Sequence, residues 1–196
     1  LFCGFWAIVS VFQEQFFFAA IAILLACVFD VLDGKVARLS GAASKFGVQY
    51  DSLSDLVSFG VAPALLAYSW ALRPYGRFGW LAAFLFVVCG ALRLARFNVM
   101  SAAGEVKYFK GLPIPAAAAM IALTILLYLR LIETGWVKDI VILVMIYVLA
   151  FLMVSSIRYA SFKELDLARR KPFSIFMFIV LSMIVIVMEP VLVSFG

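Results

Sequence analysis

Polar residues are few along this chain and gather in short clusters, and the stretches between the clusters are almost wholly apolar. Those apolar stretches predict helices at about 1–12, 15–39, 44–71, 78–101, 113–132, 136–157 and 172–188. No stretch alternates polar and apolar residues in the way a membrane-spanning strand does. A helix needs roughly 20 apolar residues to cross the hydrocarbon of a bilayer. The first run is shorter than that, so residues before Leu1 are expected to complete it. The chain starts without Met inside an apolar run and closes on an apolar tail after Pro190, so both ends are expected to be truncated. The fold expected is all-α: a polytopic transmembrane bundle of about seven or eight helices, with 1–196 as one membrane-embedded catalytic domain.

Composition sharpens this picture. Hydrophobic residues make up 67% of the chain, charged residues 14%, and the mean hydropathy is +1.15. A soluble domain carries far more charge, and backbone groups with no water to bind must be satisfied inside helices. The chain therefore reads as a multi-pass protein of the cell membrane. If the spans alternate in direction, twelve basic residues fall on one side of the bilayer, among them Lys35, Arg38, Lys45, Arg93, Arg96, Lys107, Lys110 and Arg158. Only Arg73, Arg77, Arg130 and Lys138 fall on the other, which places the first side in the cytoplasm. The net charge of +5 then reflects topology and anionic lipid, and no nucleic-acid partner is expected. Cys3, Cys27 and Cys89 lie far apart in apolar runs, without thiolate-metal spacing. With no histidine in the chain, a His-based triad is excluded, and a general base has to be a carboxylate, a lysine or a tyrosine.

The chemistry concentrates between Asp30 and Asp55. Four of the eleven acidic residues lie there: Asp30, Asp33, Asp51 and Asp55. On a helix Asp30, Asp33, Gly34, Ala37 and Arg38 share one face, and so do Gly47, Asp51, Ser54, Asp55 and Ser58. Two such helices in contact would bring four carboxylates round a common point. Crowded carboxylates repel one another unless a cation sits among them, and oxygen-only donors suit hard ions such as Mg²⁺, Mn²⁺ or Ca²⁺. Gly34, Ala37 and Gly47 clear space for a bulky ligand beside the acids. Arg38 offers a fork of donors to a phosphate. These residues together suggest a metal-plus-pyrophosphate site in a polar cavity open to the cytoplasmic face.

Two further clusters extend the candidate site. Arg93, Arg96 and Asn98 end the fourth predicted helix, with the arginines three residues apart and expected to point the same way. They are either arginines reaching for the interface or a cationic wall for a lipid phosphate or a substrate carboxylate. Lys110, in the loop Tyr108-Phe109-Lys110-Gly111-Leu112-Pro113-Ile114-Pro115, adds a charge before the fifth helix.

The run from Asp30 to Asp55 resembles the signature of the CDP-alcohol phosphotransferases, membrane enzymes of phospholipid synthesis. All eight fixed positions are met, by Asp30, Asp33, Gly34, Ala37, Arg38, Gly47, Asp51 and Asp55. The Arg93–Asn98 run and the Phe109–Pro115 loop resemble the membrane-embedded phosphatidylserine synthases within that family. The resemblance implies transfer of the phosphatidyl group of CDP-diacylglycerol to the hydroxyl of L-serine, releasing CMP. It implies two divalent ions per site, Mg²⁺ or Mn²⁺, with Asp30, Asp33 and Asp51 holding the first and Asp51 and Asp55 the second. It also implies Asp55 as the catalytic base, and Asp33, Gly34, Ala37, Arg38 and Gly47 along the CDP moiety. Arg93 or Arg96 would take the carboxylate of serine, with Asn98 and Lys110 as secondary contacts, and the protein would be a homodimer. Three other readings stand beside it: the same reaction with glycerol 3-phosphate, inositol phosphate or another amino alcohol as acceptor, a divalent-cation transporter, or a non-catalytic membrane subunit. A transporter needs a polar route to both faces, whereas the acids here gather toward one.

Overall fold

Residues 1–40, 45–102, 111–131 and 137–155 are described by a computed structural model, with the side chains of 34–40, 45, 101, 102, 131 and 137–139 left aside. Every regular element among the described residues is helical. The predicted helix at 172–188 and the basic residues from Arg158 to Lys171 lie outside them.

Helix α1 (Phe2–Phe12) and helix α2 (Phe16–Ser40) form a hairpin closed by a three-residue turn. The turn ends α1 by the two bonds of a Schellman cap: the Gln15 amide donates to the Ser10 carbonyl at 2.9 Å, and the Glu14 amide to that of Val11 at 3.0 Å. Glu14 takes the left-handed conformation that glycine usually fills there, at φ 59°.

The next rod is not uniform. Helix α3 (Lys45–Asp55) passes into a π-helical segment, Leu56–Val61, then into α4 (Ala62–Ala67), a second π-helical segment, Tyr68–Leu72, and a 3₁₀ turn, Arg73–Tyr75. Pro63 gives the first widening a cause. Its ring would strike the carbonyl four residues back in a regular helix and it has no N–H to donate. A π turn just before it relieves both conflicts. The chain then reverses at Gly76, where φ is +51°, and helix α5 (Gly76–Ala102) runs back along the rod. Pairings on either side of the turn show the antiparallel register. Leu72 lies against Gly79 near the turn, and Ser52 meets Asn98 at the far end.

Helix α6 (Ile114–Leu131) packs on α2, and helix α7 (Val137–Val154) on α5. The inner faces are lined with small residues. Ala117, Ala118, Ala119 and Ala122 of α6 are fully buried, which lets helix backbones approach closely, as membrane helices do. Phe59, Phe86, Ile23, Leu66, Ile121 and Ile142 fill the spaces between them. The outer faces are apolar as well: Phe78, Phe84, Val148 and Phe151 are exposed. A soluble protein would lose stability and solubility by such a surface, whereas lipid is its natural solvent. Phe16–Asp33 and the helical run Phe46–Met100, which folds back at Arg73–Tyr75, are long and apolar enough to cross a membrane. The chain is a membrane protein built of helices, as its apolar pattern predicts.

Candidate active site

Helices α1, α2 and α3 and the π-helical segment enclose a cavity of ≈ 320 Å³. Helix α2 contributes Ala26, Phe29, Asp30 and Asp33, at the i, i+3, i+4 and i+7 positions of one face. Helix α3 contributes Asp51, Ser54 and Asp55 by the same periodicity, and Ser58 and Phe59 continue it into the π turn. Leu1, Phe2 and Cys3 supply the remaining wall.

Three of the four predicted carboxylates converge. Asp30, Asp51 and Asp55 each present an oxygen, and these oxygens all lie within 4.8 Å of one another. Asp30 and Asp55 are half-buried and Asp51 is exposed. At that separation two full charges repel by about 3 kcal/mol even in a medium of effective dielectric ~20. The donor set is all oxygen, the spacing lets a single ion touch all three residues, and an ion of charge 2+ offsets most of the repulsion. The residues therefore fit a hard divalent cation. Asp33 faces the same cavity one turn further along α2 but stands apart from this triad.

Positive charge reaches the triad from across the bundle. Arg93 of α5 is half-buried and interacts electrostatically with Asp55. Its Nε is buried with no hydrogen-bond partner. Arg96, three residues on, is exposed, and neither arginine lines the cavity itself. The two arginines therefore part company, because three residues leave a 60° offset round the helix, enough to separate an inward from an outward side chain.

Asn98 is engaged within the protein. Its amide Nδ2 donates to Ser52 Oγ at 2.9 Å and to Gln49 Oε1 at 3.3 Å, and Ser52 Oγ lies 3.1 Å from the Val48 carbonyl to which it donates. This cluster ties α5 to the turn of α3 that precedes Asp51. Gly47 lies exposed on the first turn of α3. Gly34, Ala37 and Arg38 occupy the last turns of α2, and their side chains lie outside the described residues, as does Lys110 entirely. Of the loop that follows, Gly111 is buried against the Met153 carbonyl and the Leu112 amide donates to that of Leu152 at 3.2 Å, docking the start of α6 on the end of α7.

The cavity wall formed by α1 has no counterpart in the sequence reading. Its signal is Gly4. A Cβ there would lie 2.6 Å from Ser58 Cα and collide with Ser58 Oγ as well, so only glycine allows α1 this close to the π turn.

Comparison with known proteins identifies the family. The sequence model of one family, described as CDP-alcohol phosphatidyltransferase, matches residues 1–154. The chain is 41% identical over 164 residues to a CDP-diacylglycerol–serine O-phosphatidyltransferase of Helicobacter pylori, covering 84% of this chain and 69% of that protein. It is 35% identical over 162 residues to the protein of that name in Bacillus subtilis, covering 83% and 85%. With the archaetidylserine synthase of Methanothermobacter thermautotrophicus it shares 45% identity over 143 residues, 72% of this chain and 57% of that one. The acid triad between two helices, and a family match reaching from α1 to α7, place the chain in the CDP-alcohol phosphatidyltransferase family.

Proposed function

We propose that this protein transfers the phosphatidyl group of CDP-diacylglycerol to the hydroxyl of L-serine, giving phosphatidylserine and CMP. The observation that carries the reading is the convergence of Asp30, Asp51 and Asp55 on a cavity, in a chain whose relatives bear the name of that activity. The bond from the serine oxygen to phosphorus forms as the bond from phosphorus to the CMP oxygen breaks.

The reading gives these residues the following roles. Asp55, half-buried, takes the proton that the serine hydroxyl sheds. Arg93, whose charge acts on Asp55 from α5, supplies the positive potential that favours an anionic oxygen of the lipid phosphate or the serine carboxylate at the site. The family resemblance assigns Asp33, Gly34, Ala37, Arg38 and Gly47 to the path of the CDP moiety and Lys110 to the acceptor side. Asn98, expected as a serine contact, is instead taken up by Ser52 and Gln49 and acts by holding α3, and the exposed Arg96 stands outside the cavity. Asp30, Asp33, Asp51 and Asp55 would hold two divalent ions, Mg²⁺ or Mn²⁺. When bound, these supply charge that stabilises the developing negative oxygens of the leaving group. The protein is read as a multi-pass homodimer, each chain one catalytic domain with its site facing the cytoplasm, where CMP leaves and serine arrives.

The test is CMP release from CDP-diacylglycerol by purified protein with Mg²⁺ or Mn²⁺, with and without L-serine. Serine-dependent release with phosphatidylserine as product is expected. Release only with another acceptor, such as glycerol 3-phosphate, would keep the reaction class and remove serine from it.

A further inference from the structure

Gly111-Leu112-Pro113-Ile114-Pro115 belongs to the loop that resembles phosphatidylserine synthases, yet none of these residues lines the cavity. The two prolines stiffen the start of α6, where a helix needs no N–H. Gly111, at φ +85°, turns the backbone against the Met153 carbonyl, and the Leu112–Leu152 bond holds it to α7. The next two residues reach the helices that carry the site. Ile114 is fully buried. Its Cδ1 lies 2.5 Å from where a Cβ on Gly90 of α5 would stand, and 3.8 Å from where one on Gly60 of the π turn would, so it fills a notch that the two glycines leave open. The carbonyl of Pro115 accepts a bond from the Cys27 thiol of α2 at 3.6 Å.

Each of these contacts lies about one turn from a residue of the site. Cys27 is three residues before Asp30, Gly90 three before Arg93, and Gly60 one i→i+5 turn beyond Asp55. One short segment therefore touches the three elements whose packing brings Asp30 to Asp55 and the charge of Arg93 to both. We propose that Ile114 is a positioning residue for the active site: keyed between Gly60 and Gly90, it sets how the π-helical segment, α5 and α2 stand together, and with them Asp55, Arg93 and Asp30. The inference rests on the phosphatidyl-transfer reading. Isoleucine suits this place because its β-branch leaves one strongly preferred rotamer about the first side-chain bond of a helical residue. A close-packed interior passes a displacement on instead of absorbing it, and an error of about 1 Å between reacting groups can cost about 10²-fold in rate.

Moving one methyl group across the contact tests this. Gly90→Ala fills the notch, so the buried Ile114 has to push on its other wall. At a temperature where the detergent-solubilised variant stays folded, kcat should fall by roughly tenfold to 10²-fold. Mn²⁺ affinity measured by calorimetry should weaken, and the KM for CDP-diacylglycerol should change less than kcat. Adding Ile114→Val, which removes Cδ1, should restore most of both kcat and Mn²⁺ affinity. Ile114→Val alone, a milder change, should shift both in the same direction as Gly90→Ala by a smaller factor. A lowered melting temperature with kcat and Mn²⁺ affinity unchanged in the folded variants would overturn the proposal, since that is the mark of packing alone. A double variant that regains its melting temperature but not its kcat would overturn it too. If Gly90→Ala does not fold, Ile114→Val decides by the same criterion. Wild-type protein assayed alongside separates the two levels of inference. If it releases no CMP with any acceptor, the phosphatidyl-transfer reading fails; if it does and the folded variants match it, only the role of Ile114 fails.

Discussion

Exchanging Asp55 for asparagine keeps its shape and removes both its charge and its ability to take a proton. A general base contributes roughly 10²- to 10⁴-fold in rate, and Asp55 also belongs to the three residues whose oxygens share one 4.8 Å neighbourhood. Asp55→Asn should therefore lower kcat by at least 10²-fold and weaken Mn²⁺ binding measured by calorimetry on the same sample. Asp30→Asn should weaken Mn²⁺ binding similarly while a change in serine KM stays small. Equal Mn²⁺ affinity in wild type and both variants would show that the triad holds no ion. The arginines give a second contrast. Arg93 is half-buried beside Asp55 whereas Arg96 is exposed, so Arg93→Ala should raise the KM for serine or for CDP-diacylglycerol by about tenfold or more, the loss of a charge-assisted bond. Arg96→Ala should change it less, and the reverse order would move the acceptor site outward. The sequence placed these two arginines side by side, since a spacing of three is adjacent on a helix. Which of them looks inward depends on the rotation of α5 against α3, a tertiary quantity that spacing does not contain.

At the level of elements, the helical segments were legible because lipid-facing and core-facing positions are both apolar, so whole runs stand out from their polar ends. The predicted 15–39, 78–101 and 113–132 lie within two residues of α2, α5 and α6 at every boundary. The irregularity inside the predicted 44–71 was not legible. Pro63 accounts for the first π turn, which packs against α1 and α5, but a proline by itself does not say whether a helix ends, kinks or widens there. The packing of α1 onto that turn makes a prediction of its own. Gly4→Ala forces a methyl into Ser58, and overpacking of this sort destabilises by about 1–3 kcal/mol. It should lower the melting temperature and, by shifting the wall that α1 gives the cavity, lower activity beyond what the lost stability explains. The Asn98 cluster pins the other side of the site. Asn98→Ala leaves Ser52 and Gln49 without their partner, and should lower thermal stability by an amount corresponding to about 1–2 kcal/mol. Because Asn98 holds α3 rather than lining the cavity, kcat should fall more than either KM rises.

At the scale of the whole molecule, the placement of the acids along their helices and the asymmetry of basic residues point to the same side of the bilayer. Asp30 lies in the C-terminal half of α2 and Asp51 and Asp55 in α3, which begins only a few residues after α2 ends. The site therefore lies near the α2–α3 connection and away from the turn at Arg73–Tyr75. In the sequence, basic residues are frequent near the segments expected at the first end and sparse near those at the second, and the positive-inside rule is what supports the proposed cytoplasmic placement of the α2–α3 connection. Labelling tests this directly. In a background with Cys3, Cys27 and Cys89 replaced, Gln49→Cys and Tyr75→Cys each introduce one thiol, at opposite ends of the rod. A membrane-impermeant maleimide applied to intact cells should label the thiol at position 75 and not that at 49, and permeabilised cells should show both. Labelling at 49 alone would invert the protein in the membrane. The acid triad would then open away from the compartment that supplies serine and recovers CMP, and phosphatidyl transfer to serine would lose its physical basis, even though every contact within the helices stayed the same.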